Sequence, residues 1–389
     1  MEHFLGIFFT IVAIIFTTIL SLLYPKIKWP LFAALFLRLV FSFIHFYVAP
    51  LPEGSSDAIV FEKIAWEFSN NSSTLVQGNP PNFYSKLIGY IYFMTDRSPL
   101  MIQIINTIAS TLTVFIVWLT ALELWNKKAA LKAAWLMTIY PTVILYATLT
   151  LREALFTLML VTGVLFTVKL IKKNKIRYFF LSSLSFLIAS FFHGAAILVL
   201  VFIILLAIKR GFVGICLNKD KKHSILAIFL VAFLFFIGTQ DFNFNKIGKL
   251  SSVFNIELLQ DRLTRRQTGS AQYPDYLNFT AGDAVVKIPI RVMYFLFSPT
   301  PFDIKSFKDA FGLFDALIYL VFMALLFKNR KLILSRPELR VVLYIFFILV
   351  ISFTMGTANY GTGIRHRAKI AALLIILISN FIPSKKKVK

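Results

Sequence analysis

Acidic residues and cysteine are scarce in this chain. Its 389 residues hold 18 Asp and Glu against 41 Lys and Arg, with one Cys and five His. A single cysteine, Cys216, excludes a disulfide framework. The few His and Cys show no metal-ligand spacing, so neither a metal nor another cofactor is expected. Charged residues make up only 15% of the chain, whereas hydrophobic residues reach 58%, 43 of them Phe, and the mean hydropathy is +0.77. That leaves too little polar surface for a water-soluble globule of this length. The composition implies an all-α, polytopic integral membrane protein, read as one domain over 1–389. The first residues, Met1 to Tyr24, lack a basic start and a small-residue cleavage site, and are read as a retained first helix.

What is abundant is Lys and Arg. The net charge of +23 would suit nucleic acid, but the basic runs fall in short segments between apolar spans. There they set orientation and meet anionic membrane lipids, and no nucleic-acid partner is expected. Three long apolar stretches are closed at both ends by Lys and Arg and broken near the middle by a polar cluster. They run over 133–168, 178–208 and 341–384, with breaks at Arg152-Glu153, His193 and Arg365-His366-Arg367. A segment basic at both ends crosses an even number of times, so each stretch is expected to be a helical hairpin with its polar cluster on the far side. Continuing this logic gives about eleven crossings of the plasma membrane, N-terminus outside and C-terminus cytoplasmic. The expected outer loops are 49–98 and 239–308. The segment 285–302, which contains Lys287, Pro289 and Arg291, is read as a re-entrant or outer-surface element, since a crossing there would turn Lys328 to Arg340 outward.

In the first outer loop, Asp57 opens a stretch in which Val60, Phe61, Ile64, Ala65 and Phe68 recur at helical spacing, with Glu62, Lys63 and Glu67 opposite. This predicts an amphipathic surface helix. Asp57 at its start suits either helix capping or a general base facing an outer cavity. Arg152 suits phosphate through its planar fork, with Glu153 orienting it. His193 suits a free carbonyl at the turn, a sugar hydroxyl or phosphate contact, or proton transfer. Arg365, His366 and Arg367, with Lys369, would place cations at the positive end of a helix dipole, which calls for a compensating anion. A phosphate approached by the amides of Gly361-Thr362-Gly363 would supply one; ordinary interfacial snorkelling is the alternative. Arg262, Arg265 and Arg266 share a face if that segment is helical, and suit an anionic acceptor or open solvent.

The stretch Asp57-Ala58-Ile59-Val60-Phe61-Glu62-Lys63-Ile64-Ala65, following an outward-going helix, resembles the first outer loop of GT-C-class polytopic glycosyltransferases. It carries one acidic residue there, not the adjacent acidic pair of the protein mannosyltransferases. The segments Pro141 to Leu155 and Asn359 to Arg367 also resemble parts of bacterial envelope-polysaccharide membrane proteins, some glycosyltransferases and others repeat-unit polymerases. The resemblance implies a polyprenyl-phosphate-linked sugar donor and a glycan or lipid-linked acceptor. Asp57 would act as base, with Arg152, Glu153, His193, Arg365, His366 and Arg367 holding the donor phosphate. Transfer by direct displacement would invert the anomeric carbon. Two other readings use the same cations: a repeat-unit polymerase, and a flippase or transporter for lipid-linked saccharides, which is not an enzyme.

Overall fold

The computed structural model describes residues 2–54, 57–71, 82–216, 243–244, 248–249, 272–277, 284–304, 307–357 and 359–383. Contacts divide them into two compact units, one of residues 1–162 with 371–389, the other of 163–370.

In the first unit, α1 (Glu2–Leu23) leads through a short 3-10 turn to α2 (Lys28–Phe43), whose last turn widens into a π-helix, Ile44–Val48. Then follow α3 (Asp57–Asn71), α4 (Phe83–Thr95), α5 (Pro99–Leu124), α6 (Lys127–Ile139), α7 (Pro141–Ala147) and the first half of α8 (Glu153–Lys173). The buried face of α1 is small: Gly6, Ala13, Thr17 and Ser21. A methyl group on Gly6 would lie 2.4 Å from Leu100 of α5, so the helices touch there backbone to side chain. Phe4, Ile7, Phe8, Ile11, Ile15 and Leu22 point outward. Small residues inside and large apolar ones outside are the arrangement that bilayer immersion favours. The core side of the same contact is a cluster of Ala13, Leu35, Leu39, Leu100 and Ile104.

Capping residues explain where these helices begin. Ser98 accepts from the Met101 amide (3.3 Å) ahead of Pro99, and Asn126 accepts from the Lys128 and Ala129 amides (both 3.0 Å). Pro141 cannot donate to the carbonyl four residues back, so α6 and α7 meet at a 59° bend. The buried guanidinium of Arg38 takes up the loosened carbonyls. Its Nη2 donates to Met137 (3.2 Å), its Nη1 to Thr138 (3.3 Å), and its Nε to Ser110 Oγ (2.8 Å). A cation at a helix C-terminus also complements the dipole.

The second unit takes α8 from Gly163 onward, then α9 (Ile176–Phe192), α10 (Ala195–Cys216), α11 (Ala284–Phe297), α12 (Phe307–Lys328), α13 (Arg330–Ser335), α14 (Pro337–Gly356) and most of α15 (Tyr360–Ile378). Gly163 lets the Phe186 ring of α9 lie against α8, and Thr167 and Ser182 share a hydrogen bond of 2.7 Å across the same pair. α8, α9 and α10 turn near Arg152 and at His193, where the charge pattern put the hairpin tips. α11 is a 14-residue helix, about 21 Å long at 1.5 Å per residue, against a hydrocarbon core of about 30 Å. Its Arg291 is buried and donates to the Leu277 (3.0 Å), Thr354 (3.4 Å) and Thr357 carbonyls, two of which end α14. Arg38 and Arg291 thus serve the same purpose in different units, each closing a helix C-terminus inside the protein.

Among the described residues six helices are long and apolar enough to cross a membrane, or seven if α6 and α7 form one broken span. The chain is a multi-pass membrane protein. One of the eleven or so crossings expected from the charge pattern, Ser224 to Gly238, lies outside the described residues.

Candidate functional site

The expected surface helix is α3, and it begins at Asp57, which is exposed. Its buried face differs from the one predicted. Ala58, Glu62 and Ala65 are buried, whereas Ile59 and Val60 are about half exposed. The phase is set by an ion pair formed across the loop. Arg97 donates to Glu62 through Nε (2.9 Å) and Nη2 (2.7 Å), and Tyr92 Oη adds a third bond (3.2 Å). This bidentate bond raises the basicity of Arg97, while burial and the adjacent carboxylate push the Tyr92 phenol well above the usual tyrosine range. Glu62 therefore pins α3 to α4, so it does not belong to a solvated face.

Arg152 sits in the turn before α8 with its guanidinium 5.5 Å from the centroid of the Phe61 ring. Phe61 is one helical turn along α3 from Asp57. The cation singled out in the sequence thus packs on the helix that Asp57 begins. The turn is held by Asn106 of α5, whose amide nitrogen donates to the Leu149 (2.7 Å) and Leu151 (3.0 Å) carbonyls and to Tyr84 Oη (2.9 Å). The Tyr84 ring in turn meets Phe61 edge-on at 6.1 Å. Glu153 is buried at the first position of α8, where its charge complements the helix dipole.

His193 and His366 come together in the second unit, their rings 5.1 Å apart at right angles and both against Phe353. The backbone amide of Ala195 donates to His193 Nδ1 (3.3 Å), which fixes that nitrogen as an acceptor. His366 Nδ1 lies 3.4 Å from Thr357 Oγ1. Lys369, one turn further along α15, lies over the Phe353 ring at 5.6 Å.

The third hairpin turns earlier than expected. α14 ends at Gly356 and α15 starts at Tyr360, so Arg365, His366 and Arg367 lie in its second turn. Asn359 is the reason: its side chain accepts from the Thr362 amide (2.7 Å) and its carbonyl from the Gly363 amide (3.0 Å). The glycine amides expected to approach a phosphate are thereby drawn into the helix start. The anion sought for Arg367 is a carboxylate of the protein itself. Arg367 Nε donates to Asp315 Oδ2 at 2.9 Å with both side chains buried, and Nη1 donates to the Phe295 (3.0 Å) and Ser298 (2.6 Å) carbonyls. Arg367 is thus an internal anchor, which corrects the expectation that it holds a donor phosphate. Arg365 is half-buried on the same helix. Arg262, Arg265 and Arg266 lie outside the described residues. Among the described residues no group of three or more His, Cys, Asp or Glu gathers at metal-binding distance.

Asn106, Arg97, Asp315 and Arg38 were not legible as residues with a role, although two carried a signal. Asp315 and Arg38 are lone charges within apolar spans, where a charge needs a partner.

Residues 81–237, less than half of the chain, match the dolichyl-phosphate-mannose-protein mannosyltransferase family. The matched region includes Arg152 and His193 but not Asp57. No curated protein matches the chain. Among solved structures, the apo oligosaccharyltransferase of Archaeoglobus fulgidus matches with a TM-score of 0.50 at 15% identity, covering 91% of this chain and 50% of that one. The same organism's oligosaccharyltransferase AglB, in complex with an inhibitory peptide and a dolichol-phosphate, matches with a TM-score of 0.52 at 15% identity, covering 94% and 53%. The chain spans about half the length of the solved structures it resembles.

Proposed function

We propose that this chain, which has the fold of the GT-C membrane glycosyltransferases, transfers a sugar from a polyprenyl-phosphate carrier to a hydroxyl of a glycan or lipid-linked acceptor on the outer face of the membrane. The observation that carries the reading is the Arg152–Phe61 contact one turn along α3 from Asp57. It supports the reading because a cation suited to phosphate packs on the same helix that the exposed Asp57 begins.

In this reaction the acceptor oxygen attacks the anomeric carbon while Asp57 takes its proton. The bond from that carbon to the carrier phosphate breaks, and the negative charge on the departing phosphate is held by the Arg152 guanidinium. Attack opposite the leaving group inverts the anomeric centre. A base in this position contributes about 10²–10⁴-fold, and a fixed cation at the leaving group acts where charge develops. By residue type alone, Arg365, His193 and His366 suit phosphate contacts, and Arg262, Arg265 and Arg266 suit an anionic acceptor.

The test is transfer by the full chain in lipid nanodiscs, from a radiolabelled polyprenyl-phosphate sugar to acceptor glycan. Asp57→Asn is expected to lower turnover by about 10²-fold or more while leaving donor binding intact. Full turnover by that variant removes Asp57 as the base.

A further inference from the structure

We propose that the groove at the far end of α3, between α3 and α4, is a binding site for a neutral saccharide ring. It is a cleft of about 390 Å³ lined by Trp66, Ser69, Asn70, Tyr92, Thr95 and Asp96, among others. The volume falls in the range of small-molecule sites, about 300–1,000 Å³. Its chemistry is specific in three ways.

First, the lining offers rigid aromatic area. The half-buried Trp66 meets the buried Tyr92 edge-on at 6.2 Å, and the Arg97 guanidinium lies 5.5 Å from the indole. An indole held in this way gives the C–H face of a sugar a preorganised platform at little entropic cost. Second, the polar groups are rich in acceptors. Ser69 Oγ spends its hydrogen on the Trp66 carbonyl (2.7 Å) and Thr95 Oγ1 on the Ile91 carbonyl (2.8 Å). Their lone pairs, with the Asp96 carboxylate, remain to accept from hydroxyl groups, and Asn70 both donates and accepts. Third, among the described residues no Lys, Arg or His lines the groove. The neighbouring Arg97 is engaged by both oxygens of Glu62, so the described lining carries only the charge of Asp96. Aromatic faces, hydroxyl acceptors and no free cation together select a neutral polyol.

Asn70 is thirteen residues beyond Asp57, about 20 Å along the helix at 1.5 Å per residue. A glycan lying along α3 would reach both places; only that link rests on the proposed function. The binding itself does not.

The experiment is saturation-transfer NMR on the full chain in nanodiscs, with the methyl glycosides of glucose, galactose, mannose and N-acetylglucosamine as probes. At least one is expected to show transfer to its ring protons, and Trp66→Ala to weaken it about ten-fold, a loss of about 1.4 kcal/mol. Asp96→Gly, at a φ of 132° that glycine adopts freely, and Asn70→Ala, at an exposed position, are each expected to weaken binding as well. No transfer to any probe, or transfer unchanged in Trp66→Ala and Asp96→Gly, overturns the site. So does displacement of the sugar by polyprenyl phosphate, which would assign it to the Asp57–Arg152 centre. Because no turnover is needed, an inert groove leaves the catalytic reading standing. Conversely, an active Asp57→Asn variant leaves the groove standing.

Discussion

Arg367 and Asp315 form an ion pair, Nε to Oδ2 at 2.9 Å, with neither side chain reaching solvent. The pair ties α15 to α12, and the remaining guanidinium bonds tie both to the end of α11. Tyr319 adds a fourth connection, donating to the Arg367 carbonyl at 2.6 Å. Arg365 and His366 are adjacent to this anchor, so their placement depends on it.

Breaking the pair from one side leaves an uncompensated buried charge, which costs about 3–5 kcal/mol, whereas replacing both partners by apolar residues of similar volume is often neutral. Asp315→Leu and Arg367→Met are therefore each expected to lower the thermal unfolding midpoint of the detergent-solubilised chain by several degrees. The double variant is expected to recover most of the loss. If it is as unstable as either single variant, the pair is not the source of the cost.

At the other candidate cation the expectation concerns chemistry. Arg152→Ala is expected to lower kcat/KM for the polyprenyl-linked donor by about 10²–10³-fold, the usual cost of losing one fixed group that stabilises developing charge. Arg152→Lys is expected to restore little, because a point charge lacks the planar fork that engages two phosphate oxygens. Phe61→Ala, which removes the ring beneath the guanidinium, is expected to cost about 2–5-fold from the lost cation–π contact of about 0.5–1 kcal/mol. Normal kinetics in Arg152→Ala would remove it from the reaction.

The sequence made the helices and most of their ends legible because the signals there are local. Apolar runs bounded by Lys and Arg mark α8, α9 and α10, and Pro99 marks a helix start, whereas the break at Pro141 falls inside a stretch read as continuous. The phase of α3 was not legible, because it depends on Glu62 meeting Arg97 thirty-five residues later in the chain. Nor was the start of α15: Gly361 and Gly363 read as loop, yet the Asn359 cap draws them into helix. Gly363 packs closely there: a methyl on it would lie 3.0 Å from Tyr273 Oη. At the candidate site, Asp57 was visible as an acidic residue opening a surface helix and Arg152 as part of a polar break, while Asn106, which shapes the Arg152 turn, is one amide within an apolar helix and carries no pattern.

Burial pushes the Tyr273 phenol up to about 12, with Arg367 and Arg291 pulling the other way. The folded chain then holds this proton more tightly than the unfolded one, whose phenol titrates near 10. The contribution is complete below about pH 10 and is lost as pH rises from there through about 12. Unfolding midpoints are expected to be flat from pH 7 to 9 and to fall between pH 10 and 12, with a smaller fall in Tyr273→Phe. An equal fall in the variant would assign the loss to other tyrosines.

Arg38 and Pro141 offer a test of how a charge comes to rest inside an apolar bundle. Pro141 removes the amide that would bond the Met137 carbonyl, and the 59° bend it imposes frees the Thr138 carbonyl. Arg38 donates to both. If the bend is what makes the cation tolerable, the two residues are coupled. Arg38→Met leaves two buried carbonyls without a donor, at about 1–3 kcal/mol each. Pro141→Ala supplies an amide to Met137 and lets α6 run on into α7, so the carbonyls no longer need Arg38. The cost of Arg38→Met is therefore expected to be smaller in the Pro141→Ala background, with a coupling of about 0.5–3 kcal/mol in a double-mutant cycle, read from unfolding of the detergent-solubilised chain. Strict additivity would mean that Arg38 is held by Ser110 and the surrounding packing alone, and that the bend and the buried charge are independent features of the fold.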